Sequence, residues 1–417
     1  MSNQNVKTHR NFWESPWGYA ESFFIGIGLI LSGFAIEVVT TNSSLESIVF
    51  PYSIYLLVGY ILLLITFYIS GRNTLVVQWL IKIPASITSI VLITLLVMIM
   101  GIIPQTTSDS EFISSFGLNR ITSNWAFLFI LVFFLSCLGM VIINRIALFK
   151  WSDVGFVLNH LGLFIALIAG TFGIGDLQRM VIEVNENQAN FIAVDKYKNE
   201  FDLDFAIYLE DFVREEYNPK IAIVDNNDGQ IISNNGINSY LIIEGNTYSF
   251  KNYSIEIMDY LESAARFGDS YHRNNEIGSP PAVKIKVTNN DIGDQSVDWI
   301  SCGSFTQQYL SYKLNAYYSI VMTIPEVKKF ESNIQILTKD GERIPVKLEV
   351  NKPYTYEGWK LYQYGYDETK AKWSTKSIIE LVRDPWLPFV YLGIFMMILG
   401  SVYIFWVGSK ISGREEK

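Results

Sequence analysis

Apolar positions along this chain gather into long blocks with almost no charge. Between the last two blocks lies a stretch of more than two hundred residues that reads as soluble protein. A bilayer core about 30 Å thick takes roughly 20 helical residues to cross. Six blocks meet that length: 16–39, 51–70, 84–103, 124–143, 153–173 and, after the long insert, 387–408. The first is the least uniform, because Glu21 and Glu37 sit near its ends. It is expected to be a retained span rather than a cleaved signal, since no short small-residue cleavage site follows it and further spans do.

The insert, roughly 176–385, alternates short apolar runs with turn signals. The runs 221–224, 240–243, 283–287, 317–324, 344–350 and 359–364 predict strands. Asp228-Gly229, Gly245-Asn246 and Asp340-Gly341 fall where hairpin turns belong. Val346, Leu348 and Val350 alternate with polar residues, which predicts one buried and one wet face. The fold class is therefore an α-helical polytopic membrane protein of six spans, with a large extracytoplasmic β-rich domain inserted before the last span. That domain is expected to be a sandwich or open barrel. The chain divides into a tail and two-span hairpin (1–83), a three-span core (84–175), the β-rich domain (176–386), and the last span with its tail (387–417).

Charge orients this arrangement. With the N-terminus inside, the inner segments hold Lys7, Arg10, Arg72, Lys82, Arg145, Lys150, Lys410, Arg414 and Lys417, while the two short outer loops hold only Arg120. Lys/Arg excess marks the cytoplasmic side. Both termini are thus expected in the cytoplasm and the insert outside the inner membrane, in the periplasm. Trp17, Trp125, Trp151 and Trp386 fall near the expected interfaces, as aromatic belts do. A net charge of −9 and the lack of any Lys/Arg cluster exclude nucleic acid as a partner. Two cysteines, Cys137 and Cys302, lie in different regions and form no CxxC pair, so any thiol chemistry has to come from another protein.

Candidate chemistry narrows to one residue. Of three histidines, His9 lies in the N-terminal tail and His272 in a polar stretch of the insert, where both read as solvated. His160 lies inside the fifth span, in Phe156-Val-Leu-Asn-His-Leu-Gly-Leu-Phe164. At 1.5 Å per residue it stands about 10 Å along the helix from Asp153, in the inner half of the membrane. A polar side chain there is costly without a partner and by default marks function, and a neutral imidazole is a common axial ligand of haem iron. The competing reading makes His160 and its neighbour Asn159 interhelical hydrogen-bond glue. Gly162, Ala166 and Gly170 recur every four residues as a small-residue packing stripe. That stripe starts about 200° round the helix from His160. Gly26, Gly28 and Gly33 in the first span read as packing positions too. No nucleotide-binding glycine loop, HExxH or paired-metal cluster is present. The aromatics Tyr354, Tyr356, Trp359, Tyr362, Tyr364 and Tyr366 read as strand core with cross-strand pairs, or as a protein-docking surface.

Four segments resemble one family in a shared order. They are Gly101-Ile-Ile-Pro-Gln105, Gly117-Leu-Asn-Arg-Ile-Thr-Ser-Asn-Trp-Ala-Phe127, Asn159-His-Leu-Gly162, and Val350-Asn-Lys-Pro-Tyr-Thr-Tyr-Glu-Gly-Trp-Lys-Leu-Tyr-Gln-Tyr-Gly-Tyr366 followed by Asp384-Pro-Trp-Leu-Pro388. Together, over about 84–410, they resemble the ResB (CcsB) proteins of the cytochrome c assembly pathway called System II. The first two spans depart from that family's four-span plan. The resemblance implies a subunit that works with a CcsA-type membrane protein bearing a WWD motif. The pair is expected to move haem b outward and attach it to apocytochrome c. It also implies that His160 helps hold haem in the membrane. This chain has no WWD-type segment, so it is not expected to be a complete synthase. An alternative role is a non-catalytic scaffold that recruits apocytochrome or braces the partner. A solute transporter fits less well, because no inverted repeat or paired set of broken helices is evident.

Overall fold

The computed structural model describes residues 12–40, 49–234 and 236–415, of which 408–415 are described as helix backbone only. His9, Lys7, Arg10 and Lys417 lie outside the described residues. Contacts divide the chain into a helical unit, 1–177 with 384–417, and a β unit, 178–383.

Six helices of the helical unit are long and apolar enough to cross a membrane: α1 (Tyr19–Val39), α2 (Tyr52–Gly71), α4 (Ile83–Ile102), α6 (Trp125–Ala147), α7 (Val154–Phe172) and α8 (Leu387–Glu415). They begin within a few residues of the predicted spans; α6 and α8 run further at their C-terminal ends. Two short helices, α3 (Leu75–Leu80) and α5 (Glu111–Ser115), were not expected from the sequence. Val77, Trp79 and Leu80 of α3 are buried. Trp79 stacks on Phe133 of α6 with ring centroids 5.3 Å apart, and its indole N–H donates to Ser22 of α1 at 2.8 Å. The ring supplies apolar area and its one polar atom is satisfied, so six residues suffice to plug the gap between α1 and α6.

Glycines set the closest approaches. A Cβ on Gly33 of α1 would lie 2.3 Å from the Ala126 backbone of α6, and one on Gly26 would lie 2.2 Å from Leu92 of α4. Gly28, expected at a packing position, faces open space instead. The tightest seam joins α7 and α8. Gly162 meets the Gly393 carbonyl at 2.6 Å from its notional Cβ, Gly400 meets the Asn159 backbone at 2.7 Å, and Gly155 packs on Tyr403 and Ile404. The predicted stripe is thus shifted: Gly162 and Ala166 belong to it, Gly155 extends it, and Gly170 faces open space. The helix ends are tied by Asp176, which accepts from Phe50 N at 2.6 Å, Ser53 Oγ at 3.0 Å and Trp386 Nε1 at 2.7 Å.

The β unit has two lobes. The first is one antiparallel sheet of β1 (Gln178–Asn185), β2 (Ala189–Asp195), β3 (Glu200–Glu216), β14 (Val327–Leu337), β15 (Arg343–Glu349), β16 (Tyr354–Tyr356), β17 (Trp359–Tyr366) and β18 (Lys376–Arg383). Their order is β15-β14-β3-β2-β1-β18-β17-β16. The sheet curls round one core that includes Ile182, Ile207, Leu209, Ile336, Leu348, Leu361 and Ile379. The second lobe is inserted between β3 and β14. It contains β4 (Lys220–Asp225), β5 (Tyr240–Leu241), β6 (Thr247–Phe250), β7 (Tyr253–Leu261), β8 (Ala264–Phe267), β9 (Ser270–Arg273), β10 (Ala282–Asn289), β11 (Gln295–Ser301), β12 (Tyr312–Lys313) and β13 (Tyr318–Met322). Two four-stranded sheets, β11-β10-β7-β6 and β12-β13-β4-β5, share a core of Ile221, Ile223, Ile255, Ile257, Ile285 and Ile320. The expected hairpin glycines Gly229, Gly245 and Gly341 all take positive φ, at 70°, 79° and 83°. That region is open to glycine without a steric penalty. Val346 and Leu348 face the core as predicted, but Val350 lies past the end of β15 and is exposed. Of the six aromatics, Trp359 is buried, Tyr354, Tyr356 and Tyr366 pack against the core, and Tyr364 is exposed.

Candidate functional site in the helical unit

His160 stands on the second turn of α7 and is half-buried. Its neighbour Asn159 points round the helix toward α8 and donates to Ser401 Oγ at 2.7 Å and to the Met397 carbonyl at 3.3 Å. Interhelical hydrogen bonding at this level therefore belongs to Asn159. His160 lies on the face away from the glycine seam, and its Nδ1 is 2.9 Å from the Phe156 carbonyl one turn earlier. A carbonyl oxygen has no proton to give, so Nδ1 carries the hydrogen. In the neutral ring, Nε2 then keeps a free lone pair. Among the described residues Nε2 has no hydrogen-bond partner. The imidazole also stacks on the Phe156 ring, with centroids 3.8 Å apart and planes inclined by 22°. One turn further on, Phe164 packs over Gly139 of α6. Among the described residues no group of three His, Cys, Asp or Glu could hold a bare metal ion.

A second polar constellation contrasts with it. Glu37, near the end of α1, is buried and accepts from Arg120 Nη2 at 2.9 Å and Nε at 3.2 Å through one oxygen. Its other oxygen accepts from Trp125 N at 3.3 Å, at the positive end of the α6 dipole. Gly117, at φ 61°, leaves room for this carboxylate, since a Cβ there would lie 2.7 Å from Glu37 Oε1. Asn124 caps α6 by accepting from Ala126 N at 2.8 Å and donates to the Phe116 carbonyl at 2.8 Å. Gln105 accepts from Ile121 N at 3.0 Å and donates to the Leu118 and Ile103 carbonyls at 3.0 and 2.8 Å. The segments 101–105 and 117–127, far apart as sequence signals, are thus one hydrogen-bonded knot. In the sequence Arg120 is a lone cation in a short interhelical loop and Glu37 a charge near the end of the first span. Each is the other's partner.

In the β unit Cys302 is half-buried, and burial pushes its thiol up to about 11, with Glu216 adding to the effect. A thiol held so far above neutrality is a poor nucleophile. Arg214 and Glu216 pair at 3.0 Å close by, and burial raises the Glu216 carboxyl above its ordinary range.

Six apolar helices and a large inserted β-rich domain define a multi-pass membrane protein. Residues 286–380, from β10 into β18, match the model of the ResB-like family. Over that stretch, less than a quarter of its length, the chain is similar to the ResB-like family, a likeness that suggests a role in cytochrome c biogenesis. No curated protein matches the chain.

Proposed function

We propose that this protein is the haem-handling membrane subunit of a System II cytochrome c maturation complex. In this reading it holds haem b within the inner membrane and, with a CcsA-type WWD partner, presents it for attachment to apocytochrome c. The observation that carries this is the state of His160: an imidazole in a membrane helix, half-buried, with Nδ1 bonded to its own helix and Nε2 without a partner among the described residues. Haem needs an apolar slot and one or two axial ligands. The donor set here fits one axial bond, so a second ligand comes from the partner or from water. When bound, haem would supply the group to be attached, and His160 would hold it.

The excess of Lys/Arg on one side of the spans supports cytoplasmic termini and a periplasmic β domain. The raised Cys302 thiol supports leaving thiol chemistry to other proteins. The test is a haem absorbance spectrum of the chain coexpressed with its CcsA-type partner, for wild type and His160→Ala. Loss or shift of the Soret band in the variant, with protein level unchanged and partial rescue by imidazole, is the expected result. Identical spectra sink the proposal and leave a scaffold that recruits apocytochrome or braces the partner.

A further inference from the structure

We propose that Phe156 is the positioning residue for His160 and that Arg145 clamps Phe156 from α6; this rests on the haem-handling reading of His160. Phe156 touches the imidazole twice. Its carbonyl accepts a hydrogen bond from Nδ1 at 2.9 Å, and its ring lies against the imidazole face at 3.8 Å between centroids. The first contact fixes which nitrogen is bare. The second restricts rotation of the ring, so the direction of the Nε2 lone pair is set before any ligand arrives. Phe156 is itself held from the neighbouring helix: the Arg145 guanidinium carbon stands 5.0 Å from its ring centroid, within cation–π range. Arg145 reaches that position from the last turn of α6 and also faces Asp153, at 3.5 Å, just before α7 begins. Asp153, Phe156 and His160 occupy successive turns of one helix edge, and Arg145 bridges the first two.

An axial ligand that must choose among rotamers loses affinity to the ordering it undergoes on binding. A histidine in the inner half of a membrane has few polar groups to orient it, so an aromatic platform one turn away is a chemically suitable substitute. Partners that orient ligating histidines typically change metal affinity by about 10–100-fold when removed.

The experiment uses the full chain and two readouts. One, with the partner present, is haem affinity by absorbance titration. The other, on haem-free full chain isotope-labelled and purified without the partner, with His9 and His272 replaced by Gln, is the nitrogen NMR spectrum of its single remaining imidazole. Phe156→Leu keeps the carbonyl and removes the platform. It is expected to weaken haem binding about tenfold and to broaden or average the His160 ring signals, with protein level unchanged. Phe156→Tyr restores both, and Arg145→Gln gives a smaller loss, about two- to fivefold. A Phe156→Leu protein with wild-type affinity and wild-type ring signals overturns the assignment. A His160→Ala protein that keeps the wild-type haem spectrum overturns the haem reading instead. The NMR comparison then still decides Phe156: unchanged ring signals in Phe156→Leu reject its orienting role, and averaged ones uphold it.

Discussion

Glu37 and His160 are both polar residues inside apolar helices, and the structure treats them oppositely. Both Glu37 oxygens are occupied, by Arg120 and by the start of α6, so its charge is matched and its geometry closed. His160 spends one nitrogen on its own helix, and the other has no partner among the described residues, on the face away from the α8 seam. A fully satisfied polar group in a low-dielectric site fastens structure, and a half-satisfied one is where chemistry remains available. The first span matters here because α1 supplies the carboxylate that closes the knot.

This contrast can be broken by substitution. Glu37→Ala is expected to have the largest effect on stability, about 3 kcal/mol, because it strands the Arg120 guanidinium. Thermal unfolding of the detergent-purified chain measures it, and adding Arg120→Leu should recover part of the loss. An unchanged midpoint would remove the knot from the list of what holds α1. The seam comes next. Gly162→Ala puts a methyl 2.6 Å from the Gly393 carbonyl and should destabilise by about 1–3 kcal/mol. Gly170→Ala, with nothing within 4 Å, should stay within about 0.5 kcal/mol. Equal effects at the two sites would mean α7 and α8 are not in this contact.

Asn159→Leu sharpens the comparison between neighbours. It removes the bonds to Ser401 and Met397 at an expected loss of about 1 kcal/mol, with the haem spectrum unchanged. His160→Ala should do the reverse, leaving stability near wild type while the haem band is lost.

The smallest effect lies in the β unit, where Lys352 and, after it, Lys329 hold the Glu349 carboxyl down at about 2 against its ordinary 4.5. A carboxyl depressed in the folded state stabilises above the unfolded value and loses that contribution as pH falls through the folded one. Unfolding midpoints should therefore drop between about pH 4.5 and pH 2, and Glu349→Gln should flatten part of that slope. A slope identical in the two proteins would place the acid sensitivity elsewhere.

Long apolar runs, turn glycines and alternating strands are local signals, and local sequence was enough to place the six spans, the inserted β domain and His160 as the residue to watch. Of the segments that resemble ResB proteins, the run from Val350 to Tyr366 lies within the matched residues 286–380, and the others lie outside them. Other features needed the tertiary structure. Glu37 and Arg120 are 83 residues apart, and nothing between them announces their pairing. The shift of the seam from Gly170 to Gly155 depends on where α8 crosses, which the periodicity of α7 does not contain. The second lobe emerges from β3 and returns into β14 because two distant strands pair along their length, a long-range choice invisible to alternation. Sequence periodicity states which side of an element is apolar. Only packing decides what that side meets, and so which polar atoms are left free.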